Sequence, residues 1–365
     1  MKHKKNSRGL LAALGFTLIV SLFLSVQNAS AQLELKVNDS INIKFGVLYQ
    51  EQADWTQNPT NDTYAQNIFI RRLRFILKGQ ITPNLSFFFE TDNPNLGKAS
   101  GSPPTKTISS GFMTADAYLT WRIADPLMFD MGLFIIPACR NCATNAALLM
   151  PIDYGAYTYS SSVGIQGANG RDTGAQARGY LFGDHIEYRV GIFQGNRSAV
   201  NNPLRAAGRL QVDLLDPEVG FLYTGTYLGA GKVLALGAGY DIQKDYHTYA
   251  TDLFLDHPLG PGSVTAELDY MIFDGGSVIP TLLKQHDWLT QAGYYISAVQ
   301  VMPWFKVEEK RVDSDHTLNE ERYQLGVSYF LLGHNVSLKG GYGRVHQEKT
   351  GSANLFTFQL QGYYL

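Results

Sequence analysis

Arg72, Arg74 and Lys78 recur at even positions of the stretch 67–90, while Phe69, Leu73, Phe75 and Leu77 hold the odd ones. Fixed cations spaced this way along an extended chain form a row on one face. A row or ring of like charge facing water filters ions by sign. Two other constellations could carry chemistry. Cys139 and Cys142 form a C-x-x-C motif, and Asp-His neighbours occur at Asp256-His257, His286-Asp287 and Asp315-His316. Ala143 follows Cys142 where a haem-attachment motif needs His, and no βαβ context suits a redox pair. Four-ligand zinc would need partners that are not nearby, and the His residues are spread singly. In an exported chain the pair is expected to close a local disulfide.

The charges of the first kind continue along the chain. On the face opposite the apolar stripe stand Lys44, Arg72, Arg74, Arg122, Arg178, Arg189, Arg205, Arg209, Lys306, Arg322 and Lys339. Glu90, Asp92, Asp116, Asp130, Glu187, Asp213, Asp252, Glu267 and Asp269 stand there too. Basic groups concentrate in the second to eighth segments and acids in the tenth and eleventh. Opposed walls of unlike charge would set up a transverse field, with a slight anion preference near Arg72, Arg74, Arg205 and Arg209. The alternative is that many of these residues pair and only brace the wall.

The elements that position them are strands. Alternation of apolar and polar residues recurs in sixteen segments, from Ile41 to the last residue, Leu365. In the last one Phe356, Phe358, Leu360 and Tyr364 alternate with Thr357, Gln359, Gln361 and Tyr363. Strands of this length, joined alternately by short turns and long polar loops, are the pattern of a sixteen-stranded antiparallel transmembrane β-barrel. Unpaired backbone cannot stay in hydrocarbon, so such a sheet closes on itself, and sixteen strands leave room for water inside. The segment 213–231, with Asp216-Pro217 and with Gly225, Gly229 and Gly231, reads as an unusually long turn on the short side. The stretch 138–171 is the longest without a clear strand, which marks it as a functional loop.

Composition agrees. Aromatic residues make up 12% of the 365, with 21 Tyr, 20 Phe and 36 Gly, as suits aromatic girdles and tight sheet packing. Residues 1–9 are basic, 10–26 are apolar, and Ala29-Ser30-Ala31 offers a cleavage site, so 1–31 read as a signal peptide. Removing Lys2, Lys4, Lys5 and Arg8 with it takes the formal charge from −2 to −6, which argues against nucleic-acid binding. No later apolar run is long enough for a spanning helix.

The run Ile70-Arg71-Arg72-Leu73-Arg74 before Gly79, the turn Thr82-Pro83-Asn84-Leu85-Ser86-Phe87, Asp116-Ala117-Tyr118 leading to Gly132 and Pro137, and the hairpin 171–195 resemble the phosphate-selective porin O and P family. The resemblance implies an outer-membrane pore for small polar solutes and ions, without a cofactor. It also implies a homotrimer and a third long loop folded inward as a constriction, which would be 138–171. Arg140 and Arg171 are the only basic residues of that loop. The pore that the resemblance implies is thus separable from strict phosphate selection.

Two rival functions stand beside a pore. A barrel hydrolase would use an Asp-His pair to activate water, at His286 or His316. Adjacent strand residues point to opposite faces, however, and no G-x-S-x-G context appears. An adhesin or scaffold barrel would bind partners through its Tyr- and Ser-rich loops, such as the cluster Tyr154, Tyr157 and Tyr159.

Overall fold

A computed structural model describes residues 34–36, 38, 41–100, 105–106, 111–159, 170–197 and 201–365. The expected signal peptide lies outside the described residues. Sixteen strands form one closed antiparallel barrel. They are β1 (Asn42–Gln57), β2 (Tyr64–Thr82), β3 (Leu85–Asp92), β4 (Met113–Ala124), β5 (Leu127–Ile135), β6 (Arg171–Leu181), β7 (Ile186–Phe193) and β8 (Arg205–Asp213). The second half comprises β9 (Val233–Gln243), β10 (Tyr246–Leu259), β11 (Gly262–Asp274), β12 (Gln285–Ile296), β13 (Val301–Val312), β14 (Glu320–Tyr329), β15 (Val336–Gln347) and β16 (Gly351–Tyr364). Each strand pairs with its sequence neighbours, and β16 closes on β1 from Val47 opposite Tyr364 to Thr56 opposite Leu355. The short strand Glu34–Lys36 extends the sheet beside β1 at the turn rim.

The polarity is inverted relative to a water-soluble sheet. Outward residues such as Trp121, Leu325 and Phe358 are 49%, 64% and 57% exposed, whereas Asp130, Arg189, Arg205 and Gln211 are fully buried. A closed barrel leaves no free edge, so every strand amide has a partner while the apolar face stays outside. Aromatic side chains pair near both rims: Tyr342 on Phe356 and Tyr270 on Trp288 at the loop rim, Trp121 on Phe129 at the turn rim.

Two expectations are corrected. Phe69 does not join the lipid-type stripe. In the β1–β2 ladder Gln50 faces Arg72 but Glu51 faces Ile70, so Arg71 is an inserted residue. This β-bulge reverses the alternation beyond it: Phe69 turns inward at 3% exposure and Ile68 turns outward at 71%. The connections also alternate less strictly than expected. At the loop rim, β9 and β10 are joined by the two-residue turn Lys244-Asp245, with Lys244 at φ 57°, and 348–350 is nearly as short.

Candidate functional site

The lumen is built from three sets of residues: the inward strand positions, the loop after β5, and the connection from β8 to β9. The described part of the loop, 136–159, crosses to the far wall. Its carbonyls accept from inward side chains of β15, β14 and β16. Lys339 Nζ donates to Leu149 at 2.6 Å and Pro151 at 2.9 Å, Ser328 Oγ to Met150 at 2.8 Å, and Gln361 Nε2 to Ala147 at 2.9 Å. On β13, Lys306 Nζ donates to the carbonyl of Tyr154 at 2.8 Å. Apolar wall residues with the inward parity receive the loop. Met150 and Ile152 pack with Met302, Trp304 and Phe330, and the cysteines pack with Ala250, Met271 and Phe273. Cys139 and Cys142 are bridged, with Cα atoms 5.6 Å apart. Residues 160–169 of the loop lie outside the described residues.

One point of docking depends on the absence of a side chain. A Cβ at Gly239 of β9 would meet the carbonyl oxygen of Ala138 at 2.1 Å. Gly239→Val is therefore expected to lift the start of the loop from the wall. The cost is about 1–3 kcal/mol of overpacking, read as earlier proteolysis within the loop in an otherwise folded barrel.

Residues 214–232 fold inward as well, from the opposite rim. Tyr223 and Thr144 form a parallel bridge, with Tyr223 N donating to Ala143 O at 2.9 Å and Asn145 N to Tyr223 O at 3.0 Å. Beside it, Arg140 of the loop and Glu218 of the turn make a two-pronged ion pair at 2.6 and 2.9 Å. The Arg140 guanidinium also lies 3.6 Å from the Phe254 ring centroid. Burial pushes the Glu218 carboxyl up, but Arg140 outweighs it and holds the group below its ordinary value. Sequence reading found the length of this turn but not Glu218 or Tyr223 as lumen residues. The signal available for them was a carboxylate and a tyrosine inside a segment too long for its rim.

All the expected site residues but Arg122 fall into three groups, with Arg178 shared by the first and the third. Lys44 lines a turn-rim cavity of about 370 Å³ with Lys78 and Arg178, and no acid lines it. Arg72 and Arg74 line a loop-rim cavity of about 630 Å³, where five cationic side chains face three acidic ones. The third group is in the wall and paired. Arg171 reaches Asp116 at 2.9 Å, Arg178 reaches Asp130 at 2.8 Å and Arg189 reaches Glu187 at 2.9 Å. Arg205 reaches Asp241 at 2.6 Å, and Arg209 reaches Asp252 at 2.7 Å. Glu267 accepts from Gln291 at 2.9 Å. Arg122 is not in the lumen proper. It sits at the turn rim with its side chain 59% exposed, paired with Asp125. Its strand position has the inward parity, but it lies at the turn-rim end of the β4–β5 ladder, opposite Met128 and beside a register shift.

The transverse field therefore gives way to local neutralisation. The clearest case spans a whole strand: Arg209 on β8 meets Asp252 on β10 across Gly237 of β9. A Cβ there would lie 2.1 Å from Arg209 Nη2 and 2.3 Å from Asp252 Oδ1. Charges of opposite sign in low dielectric attract strongly enough to pair at such range.

Arg71 was missed. The bulge brings it to the inward face beside Arg72, and both reach the loop residue Asp153: Arg71 Nε at 2.8 Å on Oδ2, Arg72 Nη2 at 2.6 Å on Oδ1. Burial pushes the Asp153 carboxyl up, but Arg71 and then Arg72 outweigh it and hold it well below the usual carboxylate range. Arg74 is held separately, by Glu90 at 2.6 Å and Asp92 at 3.1 Å. The Asp-His neighbours do not face one another. Asp287 is buried inside, whereas His286 bonds Tyr270 at 2.6 Å and approaches Asp313 at 3.4 Å. His257 bonds the carbonyl of Pro258 at 2.7 Å, and Asp315 caps the short helical turn that holds His316.

No protein-family model and no curated protein matches the chain. Solved structures do. An anion-selective porin from Comamonas acidovorans aligns over 89% of this chain and 100% of its own, at 10% identity and a TM-score of 0.61. The high-pH structure of Pseudomonas putida OprB aligns over 88% of this chain and 94% of its own, at 10% identity and 0.61. Salmonella typhi OmpF in complex with daunomycin aligns over 91% and 100%, at 12% identity and 0.59. At such identities the likeness is one of fold, and the fold is the sixteen-stranded barrel of outer-membrane porins.

Proposed function

We propose that the chain is an outer-membrane porin for passive diffusion of small hydrophilic solutes and ions, with a preference for anions. The observation that supports this most is the turn-rim cavity, where Lys44 and Lys78 stand together, Lys44 approaching Glu34 only at 4.0 Å, whereas the five loop-rim cations and Arg178 all have carboxylate partners. Fixed cations in excess at the turn rim raise the local concentration of anions and lower that of cations. The described part of loop 138–171, residues 138–159, narrows the passage, the Cys139–Cys142 bridge stiffens its start, and residues 1–31 act as the export signal to the outer membrane. A homotrimer is part of the proposal; one structural neighbour is a trimer form of OmpT, an outer membrane protein of Vibrio cholerae. Strict phosphate selection is not part of it, because Arg74, Arg205 and Arg209 are already neutralised by carboxylates.

The test is the reversal potential across a planar bilayer in a salt gradient. The wild type is expected to show an anion-to-cation permeability ratio above unity. Arg72→Ala with Arg74→Ala is expected to lower that ratio, and an unchanged potential would reject the assignment.

A further inference from the structure

We infer that the point where Arg71 and Arg72 converge is a seat for the carboxylate of a small solute, and that Asp153 occupies it as a tethered competitor. The inference rests on the porin reading. Three observations carry it. First, the convergence is built by an inserted residue: without the bulge at Gln50/Glu51, Arg71 would face outward. Bulges re-aim side chains and are concentrated beside functional sites. Second, the occupant has the chemistry of the ligand. Arg71 holds one Asp153 oxygen through Nε and Nη2, both at 2.8 Å, and Arg72 holds the other at 2.6 Å. A planar two-oxygen anion between two guanidiniums is what such a fork recognises. Third, the seat is reachable and its occupant can leave. The Asp153 side chain is 31% exposed and lines the 630 Å³ cavity. The backbone around it is anchored independently, by Lys306 and Lys339 on carbonyls, so the carboxylate can swing away without releasing the loop.

A tethered group competes as if present at a high local concentration, so removing its charge is expected to tighten carboxylate binding about tenfold or more. The experiment is titration of chloride current in a planar bilayer with acetate and, separately, with inorganic phosphate. It uses the wild type, Asp153→Asn, and the double variant Asp153→Asn with Arg71→Ala, each checked for barrel folding by heat-modifiable gel mobility. The expected result is a half-blocking acetate concentration about tenfold lower in Asp153→Asn. The shift should be smaller for phosphate and absent in the double variant. Equal acetate block in wild type and Asp153→Asn would overturn the seat and leave the porin reading standing. So would a gain that survives Arg71→Ala. A larger shift for phosphate than for acetate would overturn the carboxylate assignment. Folded wild type and Asp153→Asn that both pass no current would overturn the seat and the porin reading together.

Discussion

Glu218→Ala is expected to separate the inward loop from the inward turn and to raise the single-channel conductance, while the barrel stays folded. Arg140 is fully buried, and its guanidinium charge is met by this carboxylate. Removing one partner of a buried pair leaves an uncompensated charge, at about 3–5 kcal/mol. That cost falls on the loop–turn junction, because the strand ladders do not run through Glu218. The cheapest relief is for the loop to swing Arg140 toward water. The conductance rise should be accompanied by cleavage of the loop by added protease. Arg140→Met with Glu218→Leu is the control: apolar groups replacing both partners should restore most of the wild-type conductance. Acid should act in the same direction. The Glu218 carboxyl is depressed in the folded state, so its contribution is complete above the ordinary glutamate range near pH ~4.3 and is lost as pH falls through the folded value. Wild-type conductance should therefore be flat from neutral pH to about pH 5 and rise only in stronger acid. Glu218→Ala should be high throughout.

Asp252→Asn is expected to destabilise the barrel itself. Arg209 and Asp252 are 3% and 6% exposed, and the pair ties β8 to β10 over the bare backbone of Gly237. Asparagine keeps the shape and one acceptor oxygen but removes the charge, so Arg209 is left with neutral acceptors alone: that amide oxygen, Tyr223 Oη at 3.0 Å and Gln211 Oε1 at 3.0 Å. The expected loss is about 3–5 kcal/mol, read as a lower temperature for the folded-to-unfolded mobility shift in detergent. Gly237→Ala reaches the same interaction sterically, by driving a methyl group between the two side chains. Because both changes break one interaction, their effects should be far from additive in the double variant. Additive losses would show that the pair does not hold these strands together.

Much of the barrel was legible because membrane strands obey one rule, alternation, and each segment states it locally. All sixteen strands lie within a few residues of the alternating stretches. What was not legible depends on partners. The bulge at Arg71 exists only in the register between β1 and β2, so neither strand alone shows that Phe69 turns in and Ile68 turns out. Pairing of Arg209 with Asp252 needs the intervening glycine to face the lumen, which is a property of three strands. The docking track of the loop did leave a trace. Met302 and Trp304 share the parity of Lys306 and Glu308, and Met271 and Phe273 share that of Glu267 and Asp269. Apolar residues on the charged face have to be covered by protein, and the described segments that do it include the inward loop and Leu282 of the β11–β12 connection. The tight Lys244-Asp245 turn was obscured because Asp and Lys also suit a longer loop.

Current through the purified protein in a planar lipid bilayer is the most direct measurement. A barrel with water-filled mouths and a loop across its waist should give discrete, ohmic steps, smaller than those of the Glu218→Ala variant, with a reversal potential on the anion side. A folded, detergent-purified protein that passes no ions, or a secreted chain that stays soluble and monomeric without detergent, would contradict it.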